Sequence, residues 1–225
     1  DREVVMAMAL ASLGGLQGSI GWIMVASGLK PGMIAVAPVK LMLHLTLASI
    51  ILALLTLFAA RFSPPAKPER AASRGWAVAV LLVVLFQIAL GALVAGSRAG
   101  LTFNTWPLMD GRFFPNPATL LAVSPLIENF VDNVAMVQFN HRVAAFLVLG
   151  VTLYAAIHAR SINPHGPAAR RFVLIAGLVV LQFGLGVLTL IHAVPIVLGL
   201  AHQLLAMVIV VAAAWNTARS HKAVA

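Results

Sequence analysis

The chain has 225 residues, 61% hydrophobic and only 9% charged, with a mean hydropathy of +1.00. A soluble domain carries about a quarter charged residues, so that class is excluded; helices remain, because backbone groups in lipid must be satisfied within each segment and the strand alternation of a barrel is absent. The net charge of +9 comes from basic residues lying between the apolar runs, a pattern of topology signals and not of nucleic-acid binding, and the lack of cysteine excludes thiolate metal sites and disulfides within these residues.

Six apolar runs follow one another: Val4–Ser27, Pro38–Ala60, Trp76–Ala95, Val134–His158, Phe172–Ile191 and Pro195–Thr217. Each approaches or exceeds the roughly 20 residues that cross a bilayer. Residue 1 is Asp and no basic stretch precedes the first run, so that run does not read as a signal peptide; the expectation is a chain whose beginning is missing.

The connection 61–74 carries Arg61, Lys67, Arg70 and Arg74 around a Pro64-Pro65 break. The connection 159–171 adds Arg160, Arg170 and Arg171, and the tail adds Arg219 and Lys222. On the opposite side, Lys30, Lys40, Arg98 and Arg112 are diluted by Asp110, Glu128 and Asp132. The positive-inside rule therefore places both ends of the chain in the cytoplasm and the long loop 96–133 outside.

In that topology the second, fourth and sixth runs all enter from outside, and each carries one early histidine: His44, His141 and His202. At roughly 1.5 Å per residue all three lie about 10 Å below their helix starts. The chain also repeats itself. Leu16-Gln17-Gly18-Ser19-Ile20-Gly21 resembles Leu181-Gln182-Phe183-Gly184-Leu185-Gly186, and each precedes a run with an early histidine. The repeat predicts two halves of four helices, eight in the whole protein, with the first pair of the first half outside this chain. The divisions are then 1–61 for the last two helices of the N-terminal half, 62–75 for a cytoplasmic linker, 76–217 for the C-terminal half and 218–225 for a cytoplasmic tail.

The stretch Gln138-Phe139-Asn140-His141-Arg142 packs polar and ionisable groups into the first turns of a spanning helix, where each costs about 2.5–3.5 kcal/mol on insertion scales. Two such histidines could hydrogen-bond across helices. Equal depth and an amide neighbour for each, Asn140 and Gln203, favour a shared ligand. Without cysteines and with few intramembrane carboxylates, a zinc or di-iron cage lacks donors. Heme needs only one or two axial imidazoles, so His141 and His202 are read as ligands of heme iron. Arg142 and Arg98 lie near the outer helix ends, where they could pair with the carboxylates of heme propionates or simply snorkel. Gly91, Gly96, Gly184, Gly186 and Gly199 could admit a flat macrocycle or close helix packing. His192 reads as interfacial, and His158, His165 and His221 as solvated.

The loop from Gly96 to Pro115 is rich in aromatics and turn formers, with Phe103, Trp106, Phe113 and Phe114 at the expected interface, and reads as a lid over the outer mouth or an aromatic belt. Within it Asn104-Thr105-Trp106-Pro107-Leu108-Met109-Asp110-Gly111, followed by Gln138–Arg142 and by Leu200-Ala201-His202-Gln203, resembles the heme A synthase family. The stretch from Gly15-Leu16-Gln17-Gly18 to Gly28-Leu29, with His44-Leu45-Thr46-Leu47-Ala48 after it, resembles that family's third and fourth helices. The resemblance implies a membrane oxidoreductase that converts heme O to heme A for cytochrome oxidase by oxidising a ring methyl to a formyl. It implies a heme b between His141 and His202, and a substrate-heme site to which His44 belongs. No catalytic residue is identified in this chain, because the family's carboxylate falls in the part with no counterpart here, and the chain alone is expected to be inactive.

The resemblance further implies heme O as substrate, membrane lipid as surroundings, and heme O synthase and cytochrome oxidase assembly factors as partners. A homo-oligomer is compatible, and the bacterial plasma membrane is the expected location. A non-catalytic b-type cytochrome is the rival reading, separated only by the loop motif. A transporter of inverted repeats fits less well, because an even four-helix offset makes these repeats parallel. The roles of Asn104, Trp106 and Asp110 are open at this stage.

Overall fold

A computed structural model describes residues 2–29, 31–33, 35–64 and 74–220. Of the basic and histidine residues in the topology argument, Lys30, Lys67, Arg70, His221 and Lys222 lie outside the described residues. The described chain is helical, and its single strand-like feature is an isolated bridge between Met109 and Arg112. Six helices are long and apolar enough to cross a membrane: α1 (Arg2–Ser27), α2 (Pro38–Ala59), α3 (Arg74–Gly96), α5 (Val134–Ile162), α6 (Pro167–Ile191) and α7 (Ile196–Arg219). A single turn, α4 (Pro117–Leu120), lies in the loop between α3 and α5.

The helix starts obey local chemistry. Proline occupies the first turn of α2 and α6, where its missing N–H costs nothing and its φ is preset. Asn133 caps α5, its Oδ1 accepting from the amides of Ala135 and Met136 at 2.9 and 3.2 Å. α6 begins five residues before the apolar run expected at Phe172, because Ala168, Ala169, Arg170 and Arg171 all favour helix. There the Arg171 Nε donates to Asn216 Oδ1 on α7 at 2.9 Å.

Helices α3, α5, α6 and α7 close a four-membered ring, each packing on the next and α7 returning to α3. α2 packs against both α3 and α7, and α1 packs on α2. The ring is tight at the end away from the long loop, where Ala77, Ala155, Ala159, Ala168, Ala169, Ala213 and Ala214 are buried around Phe172, Ile175 and Val210. Small residues let helix backbones approach closely where lipid tails supply no hydrophobic drive. Large apolar side chains such as Leu82, Ile157 and Leu204 face outward, as a lipid-facing surface requires. Towards the loop the small-residue core stops, and the ring opens into a cavity.

Candidate functional site

The cavity has a volume of about 470 Å³, within the roughly 300–1,000 Å³ usual for cofactor and ligand sites. His141 on α5 and His202 on α7 both line it, together with Gln87, Gln182, Arg98, Arg142 and Trp106. α5 and α7 stand across the ring from each other, so the two imidazoles approach the same space from opposite helices. From the observed helix starts His44 and His202 are each six residues in and His141 seven. The offsets from the helix starts expected from the sequence are thus kept to within one residue, His202 lying six residues in where seven were expected. His44 is not in this cavity lining; it faces α1 instead.

Each of the three histidines sits in the same small cradle. A glutamine on the preceding spanning helix, Gln17, Gln87 or Gln182, donates from Nε2 to the backbone carbonyl of the histidine, in every case at 3.0 Å. Four residues further on, therefore on the same helix face, a glycine meets the ring. A Cβ on Gly21, Gly91 or Gly186 would stand 2.8, 3.1 or 2.9 Å from the Cε1 of His44, His141 or His202. A side chain at Gly21 or Gly186 would collide with the imidazole, and one at Gly91 would press on it so that the ring must shift. The space over Gly91 and Gly186 is thus filled by protein rings. Gly96 serves close packing, its absent Cβ falling 2.7 Å from Pro38 Cα.

The amide also faces the imidazole itself. Gln87 Nε2 is 3.1 Å from His141 Nδ1 and 3.4 Å from Nε2, and Gln17 makes the matching contacts with His44 at 3.1 and 3.3 Å. A donor aligned with one ring lone pair would be close to that nitrogen and far from the other. Near-equal distances leave neither nitrogen committed. His202 Nδ1 is buried with no partner, as are the Oε1 atoms of Gln17, Gln87 and Gln182.

The loop between α3 and α5 closes the cavity end of the ring and is held by buried amides. Gln138, 2% exposed, donates from Nε2 to the carbonyls of Ala99 and Thr102 at 2.6 and 2.5 Å. Arg142 donates to the carbonyls of Phe103 at 2.6 Å, Thr105 at 3.1 Å and Leu108 at 3.4 Å, and to Gln138 Oε1 at 2.8 Å. Its Nε is buried without a partner. Asn104 reaches Gly100 and the C-terminal turn of α6, donating to the carbonyls of Gly100 and Leu190 at 2.6 and 2.8 Å. Trp106 packs on Phe146 and Phe183 with ring centroids 5.8 and 5.6 Å apart. Asp110 and Gly111, with φ of 55° and 78°, make the two-residue turn between Met109 and Arg112, a geometry that Asp-Gly favours. Phe113 and Phe114 remain exposed.

A heme fits this donor set. The cavity offers two imidazoles, each touched at a ring nitrogen by a glutamine amide, Gln87 on His141 and Gln182 on His202 Nε2 at 3.3 Å, with His202 Nδ1 orphaned, apolar walls from Val84, Val148 and Val179, and the guanidinium-bearing side chains of Arg98 and Arg142. Among the described residues no cluster of three or more His, Cys, Asp or Glu could hold a bare metal ion. The glutamines were not singled out as a set from sequence. Their signal was present as Gln-x-x-x-Gly in three helices, each preceding a helix with an early histidine.

Fold and cavity together define the class: a helical-bundle integral membrane protein with a two-histidine cavity. A profile of the COX15-CtaA family, described as cytochrome oxidase assembly protein, matches residues 2–214, and the chain belongs to that family. It is 55% identical over 213 residues to the heme A synthase of Methylobacterium sp. (strain 4-46), covering 93% of this chain and 59% of that protein. The heme A synthase of Methylobacterium nodulans is likewise 55% identical, over 211 residues, with 93% and 59% covered. That of Beijerinckia indica is 44% identical over 206 residues, with 90% and 57% covered. The chain thus spans less than two thirds of the length of these relatives. No solved structure matches it.

Proposed function

We propose that the protein to which this chain belongs is a heme A synthase, oxidising a methyl group of heme O to the formyl group of heme A. His141 and His202 hold a resident heme b through both imidazoles, and His44 serves the substrate heme. The observation that carries the reading is the single cavity into which α5 and α7 present two histidines at matched depth, in a chain with heme A synthases among its relatives. A bound heme supplies one-electron redox chemistry, with its potential set by axial ligand and burial. The chain's own residues hold the imidazoles oriented, keep the walls apolar, and close the outer end with the loop carried by Gln138 and Arg142. Arg98 and Arg142, both lining the cavity, supply cationic groups for propionates, Arg142 while it also anchors the loop.

His44 repeats the cradle outside this cavity, so each half builds its own site around its own histidines. The C-terminal half 76–217 is the resident-heme unit, and 1–61 belongs to the substrate unit. The test is the fate of heme O in membranes carrying the full-length protein, read by chromatography of extracted hemes. His44→Ala should stop conversion to heme A while keeping the low-spin spectrum of the resident heme. Conversion at the unsubstituted rate would remove His44 from the substrate site. Loss of the resident heme in that variant, with retention in His141→Ala, would reverse the assignment of the halves.

A further inference from the structure

We propose that Gln87 and Gln182 are positioning residues that fix the imidazole planes of His141 and His202 for axial ligation, with Gly91 and Gly186 as the surfaces against which the rings are set. The inference rests on His141 and His202 being the resident heme's ligands. A histidine on a membrane helix has two free torsions, and the rotamer that turns a nitrogen into the cavity needs support, because apolar walls supply no hydrogen bond to hold it. In metal sites that support comes from partners around the ligand. Here the usual carboxylate or carbonyl on the far ring nitrogen is replaced by a carboxamide lying against the ring.

The same geometry recurs at three places along the chain, in each helix that carries Gln-x-x-x-Gly. In all three copies the glutamine Nε2 reaches the histidine carbonyl at 3.0 Å. In all three the glutamine Oε1 is buried without a partner, and the glycine one turn on lies close enough to Cε1 that a methyl group would displace the ring. A glutamine serving only to join two helices would need neither its approach to the ring nor the glycine. The carbonyl bond fixes the height of the amide, the amide meets the ring nitrogens, and the glycine leaves room for the Cε1 edge of the ring against the neighbouring helix. The imidazole then has one orientation in which a nitrogen points at the shared space.

The experiment uses heme-depleted full-length protein titrated with hemin, with electron paramagnetic resonance of the ferric complex as a second readout. Gln87→Met and Gln182→Met keep side-chain volume and remove the amide; each should weaken hemin binding about 10–100-fold, the range for loss of a ligand-orienting partner, and shift the largest g value. Thr217→Val removes a different interhelical tie, the hydroxyl donating to Ala77 O at 3.2 Å, and should lower melting temperature with affinity and g values unchanged. Should the methionine variants fail to fold, Gly91→Ala and Gly186→Ala keep the amide but push the ring, and should shift the g values alike. Unaltered affinity and g values in the glutamine or glycine variants would overturn the proposal. So would a loss of affinity in Thr217→Val equal to theirs. If His141→Ala and His202→Ala both leave the low-spin signal intact, the ligand assignment itself fails and the proposal falls with it; if they abolish the signal while the glutamine variants do not alter it, only the positioning role is lost.

Discussion

Arg142 shows how one side chain can be both part of a cavity wall and the fastening of a loop. Its guanidinium reaches the carbonyls of Phe103, Thr105 and Leu108 and the Gln138 amide oxygen, and a charge-assisted hydrogen bond contributes about 1.5–3 kcal/mol. Arg142→Leu should therefore destabilise the loop by on the order of 3 kcal/mol, seen as faster amide exchange in residues 103–108, while α5 itself stays protected. Arg142→Lys should not restore protection, because an ammonium cannot span acceptors spread over a planar fork. Unchanged exchange in both variants would contradict the fastening role. At this scale the histidines were legible because an ionisable group in an apolar run stands out against its surroundings. Three of the four partners of Arg142 were not, since they are backbone carbonyls more than 30 residues away in sequence, which no side-chain pattern announces. Asp110 was noticed as part of a motif, and the structure gives it a plainer task in a tight turn.

Among the elements, the junction of the loop with α5 and the crossing of α3 with α2 position the cavity. Asn133 is 7% exposed; besides capping α5 it donates to Thr119 O, Leu120 O and Asn129 Oδ1 at 2.8, 3.1 and 2.9 Å. Asn133→Ala should cost about 2 kcal/mol, the upper end for a lost cap, and lower the melting temperature; a change within error would show that the cap is dispensable. Gly96 lets the end of α3 lie on Pro38. Gly96→Ala should destabilise by about 1–3 kcal/mol through overpacking, although alanine is the better helix former; a rise in melting temperature would refute the close contact. The helices were legible as elements because their length and apolarity are imposed by the bilayer. The early start of α6 was not, because Arg170 and Arg171 interrupt the apolar run without interrupting the helix.

At the scale of the whole molecule, the proposal that three histidines share one depth requires α2, α5 and α7 to enter the membrane from the same side. Single cysteines placed at Asn116 in the loop and Ser63 after α2 should react with a membrane-impermeant reagent from opposite faces. Labelling from one face would overturn the orientation and the argument from depth. The repeat was legible in two copies from the sequence; the third, Gln87 with Gly91 and His141, shares only the Gln-x-x-x-Gly spacing and stands out through the contact between its helices. The long loop separating α3 from α5 hides their kinship with α6 and α7, which a short turn joins.

The central claim is that His141 and His202 are joint axial ligands of one heme. The reduced-minus-oxidised spectrum of the purified full-length protein tests it most directly. Low-spin b-type bands should appear in the unsubstituted protein. In His141→Ala or His202→Ala they should give way to a high-spin or weakly held heme, since one imidazole and the apolar walls remain. Low-spin bands unchanged in both variants would contradict the account.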